Sequence, residues 1–243
     1  MREIMKSKSL RVLVACECSQ TVCKAFRALG DECYSCDVED QYGGHPEWHV
    51  KRNVLDMLNG DIAFTTQDGT DHYVFAWDLI IAHPPCTYLS ITQMPLYNRR
   101  RMGDAYVDDR EKKRERAVQF FLRFTRLDCP YAIENPPGYM NRHYKKPTQT
   151  IQPFWFGDAA TKATCLWMRG LPRLIPTNIV QPPPCHVFPN SNPMGAWYYE
   201  TSCLPPSDRA RARSKTFDGV ANAMATQWHA WLAEPFRLVP CNV

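Results

Sequence analysis

Two short apolar runs in this chain each stop at a pair of prolines, and that coincidence constrains the fold more than any other feature. Trp77-Asp78-Leu79-Ile80-Ile81-Ala82 runs into His83-Pro84-Pro85-Cys86-Thr87-Tyr88, and Tyr131-Ala132-Ile133 runs into Glu134-Asn135-Pro136-Pro137. Runs that are apolar on both faces read as strands covered on both sides, as in parallel α/β sheets. Proline lacks the amide that a sheet ladder needs, so each pair marks a strand's carboxyl end. Open α/β sheets bind ligands at that edge. If the two strands are neighbours, the Cys86 thiol and the Glu134 carboxyl share one crevice.

The first forty or so residues carry a second constraint. Residues 10–15 predict a buried strand, Cys16-Glu17-Cys18-Ser19-Gln20 the turn after it, and Val22, Ala25, Phe26 and Leu29 a helix that Gly30 stops in the left-handed conformation. Residues 32–36 predict a second strand, ending in Asp37. This order is that of the nucleotide-binding half of a Rossmann-like sheet, in which the acid bonds ribose hydroxyls. The glycine-rich turn that lets a pyrophosphate approach is missing. A cofactor with a ribose and no phosphate fits better, and S-adenosylmethionine is one, with Glu17 near its amino group and Asp37 at its ribose. The plainer alternative is that such an acid only caps a turn or helix.

Further along, Asn53-Val54-Leu55-Asp56 is expected to end a third strand and border the adenine, and Asp68-Gly69 to turn a hairpin within residues 62–75. Residues 89–108 form a loop long enough to be a lid. Residues 109–127 predict a helix with Ala117, Phe120, Phe121, Phe124 and Leu127 buried, and 162–168 a strand. Residues 174–206 are proline-rich and expected to be irregular, while Val220, Met224, Gln227, Trp228 and Trp231 lie at helical spacing. The expected organisation is a core over 1–170, a short proline-rich region over 171–217, and a helix returning to the core within 218–243.

A chain of 243 residues buries a core without staples, so its eleven cysteines need no disulfide role. The charged residues 1–9 predict no signal peptide, and no window is apolar enough to span a membrane. A reducing, cytoplasmic setting is expected. Metal is not: only Cys33 and Cys36 have zinc-like spacing, within a strand that points alternate side chains apart. Cys185-His186 is the remaining candidate pair. The net charge of +4 is mild, but Arg99-Arg100-Arg101, the run 110–116, and Arg209, Arg211, Arg213 and Lys215 are local clusters. Taken alone, each is as easily a solvated face as a nucleic-acid contact.

Pro84-Pro85-Cys86 followed by Glu134-Asn135-Pro136 resembles the DNA (cytosine-5) methyltransferase family, especially its short phage-borne members. Val14-Ala15-Cys16-Glu17 with Ser19, Lys162-Ala163-Thr164-Cys165-Leu166-Trp167, Gly170-Leu171-Pro172 through Pro176-Thr177, and Asp218-Gly219-Val220-Ala221-Asn222-Ala223-Met224 have analogues there, so the resemblance covers most of the chain.

The resemblance implies a Rossmann-like methyltransferase sheet with a small, mostly irregular appendage, acting in a bacterial or phage-infected cell. It implies Cys86 as the nucleophile that adds to cytosine C6, Glu134 as the acid at N3 and the exocyclic amine, and Lys162 near the site. S-adenosylmethionine, or a derivative bearing a larger group, would contact Ala15, Cys16, Glu17, Ser19, Asp37, Asp56, Pro84 and Asn222. DNA with a flipped cytosine would contact Arg99, Arg100, Arg101, Arg211 and Arg213. Three departures stand out: the altered first turn, the missing arginine pair on the Lys162 strand, and the short region available for target recognition. Free cytosine nucleotides as acceptor, and a DNA binder without catalysis, are the alternatives.

Overall fold

Side-chain alternation in the first buried run sets up both layers of the molecule. In β1 (Arg11–Ala15), Val12 and Val14 face one side of the sheet, Leu13 and Ala15 the other, and all four are fully buried. A computed structural model describes residues 8–187, 189 and 193–234; most of the charged stretch 1–9 and the end of the predicted 218–243 segment lie outside the described residues. After β1 come α1 (Thr21–Arg27), β2 (Glu32–Asp37), β3 (His49–Lys51), the hairpin β4 (Ile62–Thr65) and β5 (Asp71–Val74), and β6 (Leu79–Ala82). Then follow α2 (Arg99–Met102), α3 (Asp104–Arg123), β7 (Tyr131–Asn135), α4 (Met140–His143), β8 (Gln149–Ile151) and β9 (Thr164–Arg169). The helices α5 (Ala196–Ser202), α6 (Pro206–Ser214) and α7 (Asp218–Ala233) complete the order.

The main sheet has seven strands in the order β3-β2-β1-β6-β7-β9-β8. β1 is parallel to β2 and β6, and β6 to β7, whereas β9 runs antiparallel to β7 and β8. This is a mostly parallel α/β sheet, compatible with a Rossmann-like fold. Strand order reverses between β1 and β6, so a switch-point crevice lies beyond their carboxyl ends. α1 and α7 cover one face through Val22, Phe26, Val220, Met224 and Trp228. α3, the turn that follows it and the hairpin cover the other through Val118, Phe121, Phe124, Phe64 and Val74. Each such side chain contributes about 1.5–3 kcal/mol by leaving water, which is what holds both helical layers on the sheet.

Gly30 takes the left-handed conformation that ends the first helix (φ 87°), and the 68–69 turn closes the hairpin. Several expectations are corrected. Leu29 is exposed, because α1 has already ended at Arg27. The third strand is β3; Asn53 instead caps a one-turn 3₁₀ helix (Val54–Met57), its side chain accepting from the Leu55 amide. The long segment 89–108 is not irregular: a 3₁₀ stretch (Ile91–Tyr97) and α2 occupy it, and α3 begins at Asp104 because Gly103 (φ 84°) permits the bend between the helices. The predicted strand over 162–168 starts only at Thr164. Helix α5 interrupts the proline-rich region: its own residues carry no proline.

Candidate active site

The two proline turns form a single clasp. Register between β6 and β7 sets Ala82 opposite Ile133, so the residues that follow, His83 and Glu134, meet at the sheet edge, with His83 Nδ1 3.2 Å from Glu134 Oε2. Asn135 reaches back, its Nδ2 donating to the Pro84 carbonyl at 2.7 Å. Beyond the prolines, the Ile91 amide donates to the Pro137 carbonyl at 2.8 Å and the Tyr139 amide to the Leu89 carbonyl at 2.7 Å. Chains this close require Gly138, where a Cβ would collide with the Leu89 carbonyl. The crevice therefore holds Cys86 and Glu134 together, as the pairing of the strands predicts, and the carboxylate's field acts on the thiol.

Electrostatics separates the two groups. Burial pushes the Cys86 thiol up, the Glu134 charge adds to this, and the Lys162 ammonium opposes it. The Leu89 and Ser90 amides that follow Cys86 donate to its carbonyl, at 2.9 and 3.0 Å, rather than to its sulfur. The thiol thus keeps its proton at neutral pH. Burial would also raise the Glu134 carboxyl, but the hydrogen bond and field of His83, with Lys162, outweigh it and hold the group below the usual carboxylate range. Lys162 precedes β9; its Nζ donates to the Arg213 carbonyl at 2.9 Å and sits over the Trp197 ring, 5.4 Å from its centroid.

At the switch point lies a cavity of about 380 Å³, walled by the turn after β1, the end of β2, His83, and α6. Of the predicted cofactor residues, Cys16, Glu17, Ser19 and Asp37 line it. Ala15 and Pro84 are buried beside it in strand end and turn; the Ala15 carbonyl accepts from the His83 amide at 2.9 Å. Asp56 and Asn222 are exposed and outside its lining. The Glu17 carboxylate accepts from the Val22 and Cys23 amides, at 2.7 and 3.2 Å, and from the Ser19 hydroxyl at 3.2 Å. Its hydrogen bonds therefore go first to the opening turn of α1. Asp37 accepts from the Glu39 amide at 3.1 Å. It also takes a hydrogen bond from Cys18, whose thiol is pushed up to about 12 by burial and by that carboxylate.

The basic residues divide differently from their sequence clusters. Arg99 is neutralised by Asp104, Asp108 and Glu111, at 3.4, 2.6 and 2.8 Å, whereas Arg100 and Arg101 are exposed. Arg110 is buried between the Tyr88 and Tyr97 rings and donates to Gln93 at 2.6 Å, so part of the 110–116 run pins the segment after Cys86 onto α3. Arg213 turns inward, its guanidinium donating to Ser202, Thr201 and the Tyr198 carbonyl. It staples α5 to α6, so the DNA contact expected of it would have to compete with these internal hydrogen bonds. Arg211 lines the cavity and stands over the Tyr42 ring, 5.5 Å from its centroid.

Sequence reasoning missed His83, Tyr42 and the wall made by α6. A signal for His83 existed: it is the last residue before the prolines, at the carboxyl end of a switch-point strand. Among the described residues all cysteines are free, Cys185 is exposed, no group of three or more His, Cys, Asp or Glu could hold a metal, and no helix is long and apolar enough to cross a membrane. Compared with protein-family models the chain matches none, and compared with curated proteins it matches none either.

Proposed function

We propose that this chain transfers a methyl group from S-adenosylmethionine to C5 of cytosine in DNA, with Cys86 as nucleophile and Glu134 as the group that holds and activates the ring. One observation carries the reading: Cys86, in the turn after β6, and Glu134, near the carboxyl end of the adjacent parallel strand β7, are clasped into one crevice beside the switch-point cavity. The cavity wall suits the donor chemically. Glu17, Asp37, Glu39 and Asp40 favour a cationic, hydroxyl-bearing ligand, Arg211 suits its carboxylate, and no glycine-rich turn is present to seat a phosphate. When bound, S-adenosylmethionine supplies an electrophilic methyl on a sulfonium.

The chain's own residues account for the rest. Asp37 would hold the ribose hydroxyls. Cys86 Sγ adds to C6 of the ring, its proton passing to the Glu134 carboxylate and on to N3. Glu134 also accepts from the exocyclic amine, and the field of Lys162 steadies the negative charge entering the ring. Once C5 is substituted, loss of its proton expels Cys86 and restores the aromatic ring. A paired base is out of reach of this crevice, so a duplex substrate has to be flipped, with exposed Arg100 and Arg101 near the entrance segment as phosphate contacts. Mass spectrometry of nucleosides from DNA of cells expressing the protein tests the proposal. The expected result is 5-methylcytosine that disappears with Cys86→Ala. A heavier substituent would identify a derivative donor, and DNA with unmodified cytosine would overturn the proposal.

A further inference from the structure

His83 stands where the two halves of the site meet. Its Nδ1 is 3.2 Å from Glu134 Oε2 on the acceptor side, and the residue also lines the switch-point cavity on the donor side. The side chain is nine-tenths buried, at 9% exposure, and its Nε2 has no hydrogen-bond partner among the described residues. A buried nitrogen left unpaired is costly, and such a group in a ligand site points to a ligand atom that completes it.

The missing partner's chemistry follows from the other nitrogen. Glu134 is held ionised, and a carboxylate only accepts, so Nδ1 carries the ring's hydrogen and donates it. The tautomer with its hydrogen on Nδ1 leaves Nε2 as an open acceptor. The group that meets it must then donate: an ammonium or a hydroxyl. The other walls agree, because Glu17, Asp37, Glu39 and Asp40 line the same cavity and favour a cationic ligand end. Glu17 is already committed to the amides of α1, so His83 offers an open acceptor close to the crevice.

Resting on the methyl-transfer reading, we infer that His83 is a positioning residue that couples the two ligands: Nε2 receives the amine of the S-adenosyl donor, which fixes the tautomer whose Nδ1–H orients Glu134 toward the cytosine. A filled cavity then locks the acceptor carboxylate, and an empty one leaves the ring free to turn. The linkage is reciprocal, so an engaged Glu134 also favours the donor.

Two substitutions separate the two ends of the ring. His83→Asn keeps an amide donor near the position of Nδ1 and loses the cavity contact; His83→Gln keeps an acceptor near Nε2 and loses the bond to Glu134. Calorimetry with S-adenosylhomocysteine as the probe should show His83→Gln binding within about threefold of wild type and His83→Asn weaker by about tenfold, the value of one hydrogen bond to a charged group. In ¹⁵N imidazole spectra of the full chain, the His83 signals should report the Nδ1–H tautomer, and Nε2 should move on saturation with the probe. A merely structural histidine would weaken both variants alike and leave Nε2 unmoved. Wild-type binding with an unmoved Nε2 and an unaffected His83→Asn overturns the inference alone. No binding of the probe by wild type overturns the donor reading, and this inference with it.

Discussion

Glu17 and Glu134 are both glutamates at the carboxyl ends of sheet strands, both interact with His83, and they have opposite fates. Burial pushes the Glu17 carboxyl up, against the lowering pull of His83 and of the α1 amides. Glu134 also suffers burial, yet His83 and Lys162 hold it below the usual range. The difference lies in who supplies the hydrogen bonds. Glu17 is satisfied by backbone amides and a hydroxyl within six residues, and its job is to start a helix. Glu134 is held by a side chain from the turn after the neighbouring strand and keeps accepting capacity for a ligand. A buried carboxylate consumed by local amides is architecture; one steadied from a distance is available for chemistry.

The sharpest test of this contrast swaps each acid for its amide. Glu134→Gln should lower transfer by about 10²–10⁴, the usual worth of a positioned acid–base group, with little change in thermal stability. Glu17→Gln should do the reverse, costing about 1–2 kcal/mol of stability by spoiling the cap, with far less effect on the chemical step per folded molecule. Kinetics beside a melting curve for each variant checks both, and equal losses of activity would erase the distinction. Next in size is Lys162→Met, which removes the cation that opposes the raised Cys86 thiol. Attack at neutral pH should slow by about tenfold, corresponding to about one pKa unit, and recover at higher pH. A loss that persists at every pH would show that Lys162 acts by packing.

The smallest effect is in the pH dependence of stability, and its sign differs between the two acids. The folded-state value of Glu17 is raised, so its contribution is fully present below the unfolded value of about 4.3 and is lost as pH rises through the folded value. Glu134 is lowered, so its contribution is present above about 4.3 and lost as pH falls through the folded value. Denaturant melts across this window should flatten in opposite directions in the two amide variants.

Much of the scaffold was legible in the sequence because it depends on short-range rules. Runs such as Leu79–Ala82 leave few alternatives to a buried strand, Gly30 permits the left-handed stop, and Asp68-Gly69 closes the hairpin. The meeting of Cys86 and Glu134 was legible as well, because each stands beside a proline pair at a strand's carboxyl end. The remainder depends on contacts across long stretches of chain. Nothing local reveals that Arg213 turns in toward Tyr198 or that α6 walls the cavity. His83 escaped notice because its meaning lies in its two neighbours, Glu134 and the cavity, which only the sheet brings together.

The central claim is that Cys86 attacks a cytosine ring held by Glu134. Its most direct test is a covalent trap, using an oligonucleotide that carries 5-fluorocytosine with S-adenosylmethionine present; fluorine at C5 cannot leave as a proton does, so the adduct persists. The account predicts a denaturation-stable protein–DNA complex, mapped by mass spectrometry to Cys86 and absent from Cys86→Ser. A wild-type protein that binds the donor and the DNA yet forms no adduct, or an adduct that survives Cys86→Ser, would contradict it.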